Sequence, residues 1–241
     1  MKVLAHIRAG SRAIECGLAT TRRERAAVLA QRFRVYQRKG YYRDGLRADR
    51  DVHDDTAAYF LATLPDGDLG RVLLGSARLI FGESRAGFRF PCEMAFEFEL
   101  PAAIRDTAVS QRVEISRVVA EAAQGIVIGG LLTPLGLIQA MAGHTRPLDV
   151  RAGLAMIKLR LLRALQGLGV RLHEIHPARL IYPTDGPMSG YCHHHPDPVV
   201  LVYWLTDEIL PSIEQAIALY DSRYTAPSLE RGAPTPVETK P

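Results

Sequence analysis

Cysteine is scarce in this chain. Its 241 residues contain three, Cys16, Cys92 and Cys192, odd in number and far apart. That excludes a disulfide framework and suits a reducing cytoplasm, which is where we expect the protein. A signal peptide is not expected either: Lys2 is followed by His6 and Arg8, which interrupt any apolar run. Long hydrophobic stretches are nearly absent. The one charge-free run, Ala122 to Gly143, is broken by Gly125, Gly129, Gly130, Pro134 and Gly136 and carries Gln124 and Gln139. It reads as a loop followed by a buried helix from about Thr133, not as a membrane span, and it leaves peripheral membrane contact open. No internal repeat is evident.

Metal-binding spacing is lacking as well. Tyr191-Cys192-His193-His194-His195-Pro196 offers zinc-type ligands. Adjacent histidines do not readily converge on one ion, and Cys16 and Cys92 are remote in sequence, so no metal is expected. The chain is mildly basic, with a formal net charge of +4, but no nucleic-acid motif accompanies that charge, and nucleic acid is not expected as a partner. The bases crowd early: Arg22, Arg23, Arg25, Arg32, Arg34, Arg38, Lys39, Arg43, Arg47 and Arg50 face only Glu24, Asp44 and Asp49. Two readings stand, a solvated helix face and a docking surface for an acidic partner.

What is present reads as one mixed α/β domain. Thr21-Arg-Arg-Glu24 is a capping box, and Ala26, Leu29, Ala30, Phe33 and Tyr36 follow on one face, predicting a helix from about 21 to 38. Gly40 ends it, and a polar loop runs to Asp55. Strands are expected at 57–63 and 72–81, joined by the turn Pro65-Asp66-Gly67-Asp68. Residues 88–99 are structured but of undecided type. A strand follows at 113–120, then a helix at 134–142, a strand or helix at 149–157, a helix at 159–166, a strand within 170–182, a strand at 199–205 and a capped final helix. Helices alternating with strands imply an α/β sandwich over residues 1–220. Residues 221–241 read as a disordered tail.

The most informative stretch is Val113-Glu114-Ile115-Ser116-Arg117-Val118-Val119. It sets an acid and a base three positions apart inside an apolar strand. On a regular strand such residues point to opposite faces, so Glu114 and Arg117 share one site only if a bulge intervenes. Charges in a core strand are costly unless paired, and chemistry is the leading reason to keep them.

The order of motifs is more specific than any one of them. A basic-aromatic helix, an acidic loop, a Gly75-x-x-Arg78 strand and a Glu114-x-Ser116-Arg117 strand resemble the acyl-homoserine-lactone synthases. They are also similar to the long-chain N-acyl amino acid synthases and the acyltransferases associated with exosortase systems. The resemblance covers residues 20–120 in motif detail and extends to about 220 in the order of elements. It implies a single N-acetyltransferase-like αβα sandwich with a mixed, splayed central sheet. It places Arg32 and Tyr36 on the helix, Asp51-Val-His-Asp54 in the acidic loop with Tyr59 after it, and Arg78, Glu114 and Arg117 on the strands. Tyr42 stands where the lactone synthases have tryptophan, a departure.

Coenzyme A-dependent acetyltransferases carry a glycine loop whose amides cradle pyrophosphate. Here Gln124-Gly125-Ile126-Val127-Ile128-Gly129-Gly130 has glycines at other offsets. The resemblance therefore implies an acyl-carrier-protein thioester as donor, with acyl-coenzyme A as the alternative and no permanently bound cofactor. A carrier protein is acidic, which gives the early arginines a partner.

The implied reaction is amide formation between a small-molecule amine and an acyl thioester. Glu114 is the candidate general base, directly or through a water; the other reading makes it an ion-pair partner of Arg32, Arg78 or Arg117. Backbone N–H groups near Val118 and Val119 are candidates for the oxyanion. Arg32, Arg78 and Arg117 set against Asp51, Asp54 and Glu114 form a balanced charge cluster, which the resemblance implies organises the acidic loop over the acceptor site. Tyr36 and Tyr42 line the acceptor pocket or the core. The stretch Ile126–Leu137 walls an acyl tunnel or is ordinary core, and the Cys192–His195 loop is expected at the pocket rim. Two alternatives remain: an acyl-homoserine-lactone synthase, and a non-catalytic carrier-protein or lipid-binding protein on the same fold.

Overall fold

A computed structural model describes residues 1–9, 12–43, 45, 49–66, 70–121, 130–194 and 196–224. Its first elements, β1 (Lys2–Ala9) and β2 (Arg12–Leu18), form an antiparallel pair that has no counterpart in the sequence reading. α1 (Arg22–Arg38) starts at the expected capping box: the Thr21 side chain accepts from Glu24 N, and the Glu24 side chain accepts from Thr21 N. β3 (Ala58–Asp66) and β4 (Gly70–Phe81) pair antiparallel. The undecided stretch 88–99 resolves into α2 (Pro91–Ala95), entered through a proline at its first position, and β5 (Phe96–Phe98).

After α3 (Ala102–Arg105) comes the Glu/Arg strand, β6 (Arg112–Ala120). α4 (Leu132–Thr145) follows, and the ambiguous stretch near 149–157 is a strand, β7 (Ala152–Lys158). The chain finishes with α5 (Leu159–Gly167), β8 (His173–Glu174), β9 (Ala178–Leu180), β10 (Val199–Leu205) and α6 (Thr206–Tyr224). The disordered tail expected from residue 221 starts too early, since α6 continues to Tyr224; the chain beyond Tyr224, the Gln124–Gly129 loop, the turn at 67–69 and His195 lie outside the described residues. No helix among the described residues is long and apolar enough to cross a membrane.

Eight strands form one sheet in the order β1-β2-β3-β4-β6-β7-β10-β8, and β5 and β9 form a separate pair. All neighbours in the large sheet run antiparallel except β6 and β7, which are parallel. Helices cover both faces. α4 and α6 bury Leu135, Ile138, Met141, Ile209 and Ile213 against Ile7, Ile14, Phe60 and Leu79 on one face. α1 covers the other through Val28 against Tyr59 and Leu61, and through Val35 and Tyr36 against Val119. The αβα sandwich expected from the motif order is thus the architecture found. Leu132, Leu135 and Leu137 belong to the main core, so this part of the expected tunnel wall is ordinary packing.

The parallel pair is where the sheet opens. β6 and β7 are in register only over Arg112–Ile115 and Ala152–Ala155, although both strands continue beyond that point. Two glycines set the distances around the opening. A Cβ on Gly75 would sit 2.4 Å from Thr133 Cγ2 and 2.6 Å from the Val119 carbonyl oxygen. The glycine of Gly-x-x-Arg thus lets β6 and the start of α4 close over β4. Gly153 faces Trp204 across the β7–β10 pair, and a Cβ there would lie 1.9 Å from the indole Cζ2. Gly153→Ala is therefore expected to overpack this junction and cost about 1–3 kcal/mol, read as a lowered urea midpoint.

Candidate active site

The expected bulge is present, and it falls at Arg117. On β6 the partners shift from Arg78↔Ser116 to Ser76↔Val119, so Arg117 and Val118 together oppose Ala77. Arg117 takes a φ of 56°, the left-handed region that a side chain seldom adopts. This conformation turns the guanidinium toward the acidic loop rather than across the strand.

There the charges assemble. Arg32, on α1, is buried and grips Asp54 with two parallel bonds, Nη1 to Oδ1 at 3.1 Å and Nη2 to Oδ2 at 2.9 Å. It also donates to the Asp49 backbone oxygen and forms an ion pair with the Asp49 carboxylate. Arg78 donates from Nη1 to Asp51 Oδ1 at 2.7 Å and to Asp54 Oδ1 at 2.8 Å, and from Nε to Ser116 Oγ at 3.0 Å. Arg117 Nη2 lies 3.3 Å from Asp49 Oδ1 and 3.5 Å from Asp51 Oδ2. Asp54 also accepts from the Tyr59 hydroxyl at 2.7 Å and from Asp51 N at 2.9 Å.

Three arginines and three aspartates therefore neutralise one another, and the bidentate geometry suits guanidinium rather than ammonium. Burial pushes the Asp54 carboxyl up, but hydrogen bonding from Arg32 and the charges of Arg78 and Arg32 outweigh it and hold the group well below its ordinary range. Asp49 is a central member that sequence reasoning passed over, having counted it only as an opposing charge. Its signal was its position two residues before the Asp-x-x-Asp pair.

Glu114 stands apart. It is fully buried and, among the described residues, forms no ion pair, which sets aside its reading as a salt-bridge partner of Arg32, Arg78 or Arg117. Its Oε2 accepts from Cys92 N at 2.9 Å, an amide in the first turn of α2 that lacks an intrahelical partner. Its Oε1 is buried without a hydrogen-bond partner. Burial pushes its pKa up to about 7, against the opposing influence of the Cys92 amide and thiol, Arg78 and Arg117.

Two cavities flank this machinery. One, about 510 Å³, fills the opening between β6 and β7 and is lined by Val118, Val119 and Ala120 on one side and Met156, Ile157 and Lys158 on the other. The second, about 210 Å³, lies over the charge cluster and is lined by Tyr36, Tyr42, Asp49, Asp51, Arg78 and Arg117, with Met94, Met188 and Tyr182. Both are bounded by Tyr36, Ser116, Arg117, Met156 and Tyr191. Glu114 lines neither, although it shares a strand face with Ser116, which lines both. A larger surface groove of about 860 Å³ runs along β5 and β9 and shares no residue with the charge cluster.

The aromatic lining is continuous. The rings of Tyr36 and Tyr191 are parallel within 6° at 6.2 Å, and Tyr42 stacks on Phe33 at 5.6 Å. Tyr191 belongs to a tight turn, Gly190–His194, whose Cys192 also lines the smaller cavity. This puts the Cys192 segment at the pocket. Tyr41, Tyr191 and Lys158 were not foreseen. They come from segments far apart in sequence and meet only in the fold.

No protein-family model matches this chain, and no curated protein does. Solved structures do match. LasI, described as an AHL synthase, superposes with a TM-score of 0.56 at 12% identity, over 83% of this chain and 93% of its own. TofI, solved with an inhibitor and MTA, gives 0.55 at 17% identity over 85% and 98%. FeeM, an N-acyl amino acid synthase from uncultured soil microbes, gives 0.51 at 10% identity over 87% and 98%. The mixed, splayed αβα sandwich of this chain is thus the fold on which an AHL synthase and an N-acyl amino acid synthase are built.

Proposed function

We propose that this protein is an N-acyltransferase that moves a long-chain fatty acyl group from a phosphopantetheine thioester to the amine of an amino acid or related small molecule. The observation that carries this reading is the junction of two cavities at one bulged strand. Acyl transfer needs a thioester and an amine held in attack geometry but entering from different sides, and the β6–β7 opening and the charged cavity supply two such entrances. The smaller cavity suits a small acceptor. The carrier protein is the preferred donor: α1 presents Arg34 and Arg38, both mostly exposed, and the one carboxylate they share, Glu121, leaves a net positive charge for an acidic partner.

An α-amino group has a pKa of about 8 and must lose a proton before it attacks. Glu114, with its pKa near 7 and an oxygen lacking any donor, is suited to accept that proton at neutral pH. Because the carboxylate is enclosed and lines neither cavity, the proton reaches it by way of intervening water on the Ser116 face of β6. The backbone around Val118 and Val119 offers N–H groups to the oxyanion. Arg117, Asp49 and Asp51 orient the acceptor, while Arg32 and Arg78 hold the aspartates in place.

The test is mass spectrometry of lipid extracts from cells expressing the chain beside a Glu114→Gln control. An N-acyl species made only by the native chain is expected, and its mass identifies both acyl group and acceptor. Its absence from cells that contain soluble protein would favour a binding protein on the same fold.

A further inference from the structure

Lys158 ends β7 and lines the cavity between the splayed strands. It is 8% exposed. Its Nζ donates to the backbone oxygens of Tyr191 and Asp197, the latter at 2.8 Å, and lies 4.4 Å from the centre of the Tyr191 ring and 5.5 Å from that of Tyr41. An ammonium carries three donors, and two go to these carbonyls. Lys158 forms no ion pair among the described residues. The Asp197 carboxylate and Cys192 favour the cation electrostatically, and the same carboxylate caps the backbone N–H of Arg160 at 3.1 Å.

A buried cation held by neutral oxygens and ring faces is costly unless it meets an anion at some stage. The buried arginines of the adjoining charge cluster are matched: Arg32, Arg78 and Arg117 each face aspartates. Among the described residues no carboxylate forms an ion pair with Lys158, so an anion that arises within the cavity would find a cation placed to meet it.

Resting on the acyltransferase reading, we infer that Lys158 is a catalytic residue that receives the leaving sulfur of the acyl donor. When the tetrahedral intermediate collapses, the C–N bond is already formed and the C–S bond breaks. The electron pair stays on sulfur, and the thiolate takes a proton from the Lys158 ammonium to leave as a thiol. Two protons leave the amine nitrogen: the ammonium proton, lost through Glu114 to solvent before attack, and one from the N–H₂⁺ of the intermediate, taken by Glu114 once the C–N bond has formed. The second returns to the lysine through solvent, so the cycle closes with one proton released and no other reactant. The placement fits this role. Lys158 is joined to the Tyr191 segment, and Tyr191 borders both cavities, so the cation lies on the donor side of their junction. Burial lowers the lysine's pKa, which makes its ammonium a readier acid.

Leaving-group chemistry tests this. N-acyl product is quantified by mass spectrometry for the full chain and for Lys158→Met. The donors are S-dodecanoyl-pantetheine and the dodecanoyl thioester of 4-nitrothiophenol, and the acceptors are proteinogenic amino acids plus a small-molecule extract of the expressing cells. An alkyl thiolate needs a proton as it leaves, whereas a nitrothiophenolate does not. The expected result is a loss of about 10²-fold with the pantetheine donor and less than about tenfold with the aryl donor, with a melting temperature that stays level or rises. Equal losses with both donors would overturn the role of Lys158 and leave the acyltransferase standing. No N-acyl product from the native chain with either donor overturns the acyltransferase reading and the lysine's role with it.

Discussion

Glu114→Gln is expected to cut turnover by about 10²-fold or more while making the protein more stable at alkaline pH. The substitution keeps the shape of the side chain and an oxygen for the Cys92 amide, and it brings an NH₂ group to the place of the unpartnered Oε1. What it removes is the group that changes protonation near neutrality. A carboxyl with a raised folded-state pKa holds its proton more tightly folded than unfolded. Its contribution to stability is complete below its ordinary value of 4.5 and is lost as the pH rises through about 7. Above that point the native protein keeps a buried, unpaired negative charge, at a cost of up to about 3 kcal/mol by the size of the shift. Urea denaturation at pH 5.5 and pH 8.5 checks this. The native midpoint should fall between the two, and that of Glu114→Gln should fall less. A variant that loses activity and is destabilised equally at both values would make Glu114 a structural residue.

Asp54→Asn should have the largest effect on folding. Asp54 accepts both bonds from Arg32, one from Arg78 and one from the Tyr59 hydroxyl. Asparagine fills the same volume but leaves these buried guanidiniums short of a negative charge. Breaking a buried pair from one side costs about 3–5 kcal/mol, and for a domain of this size that corresponds to a fall in Tm of about 10 °C or more. The dependence on pH runs opposite to that of Glu114. Asp54 has a depressed folded-state pKa, so its contribution is present above the ordinary aspartate range near 3.8 and is lost only as the pH falls toward its folded value. The native protein should therefore weaken in acid while Asp54→Asn, lacking this group, shows a flatter acid limb. A melting temperature unchanged within about a degree would mean that Asp49 and Asp51 alone hold the arginines.

The ordered motifs made the fold class and most of the charge cluster legible. Helix α1 was readable because its cap and apolar face are local features. Arg32, Asp51, Asp54, Arg78 and Arg117 were readable because each sits in a short pattern with its own spacing. The bulge was legible only as a condition: two charges three apart on a buried strand can share one site only if the strand's period breaks. Less local facts escaped. β1 and β2 carry charged and apolar residues together, and their strand character depends on pairing with each other and with β3. The Tyr36–Tyr191 stack and the Lys158–Tyr191 contact join residues more than 30 positions apart with no motif between them. The enclosure of Glu114 was also invisible. A sequence shows that a carboxylate lies on a strand but not that a short helix, α2, covers it.

The bulge at Arg117 does more than turn one guanidinium. Before it, the odd residues Val113 and Ile115 pack with α4, while beyond it the odd residue Val119 packs with α1. The strand therefore changes phase once, and its two halves follow separate addresses. Residues 118–120 line only the cavity between β6 and β7, whereas Ser116 borders both cavities and Glu114 neither. Substitutions in one half leave the facing of the other untouched. Deleting one residue at the bulge would restore a single phase, turning Val119 toward α4 and erasing the β6 wall of the cavity between β6 and β7.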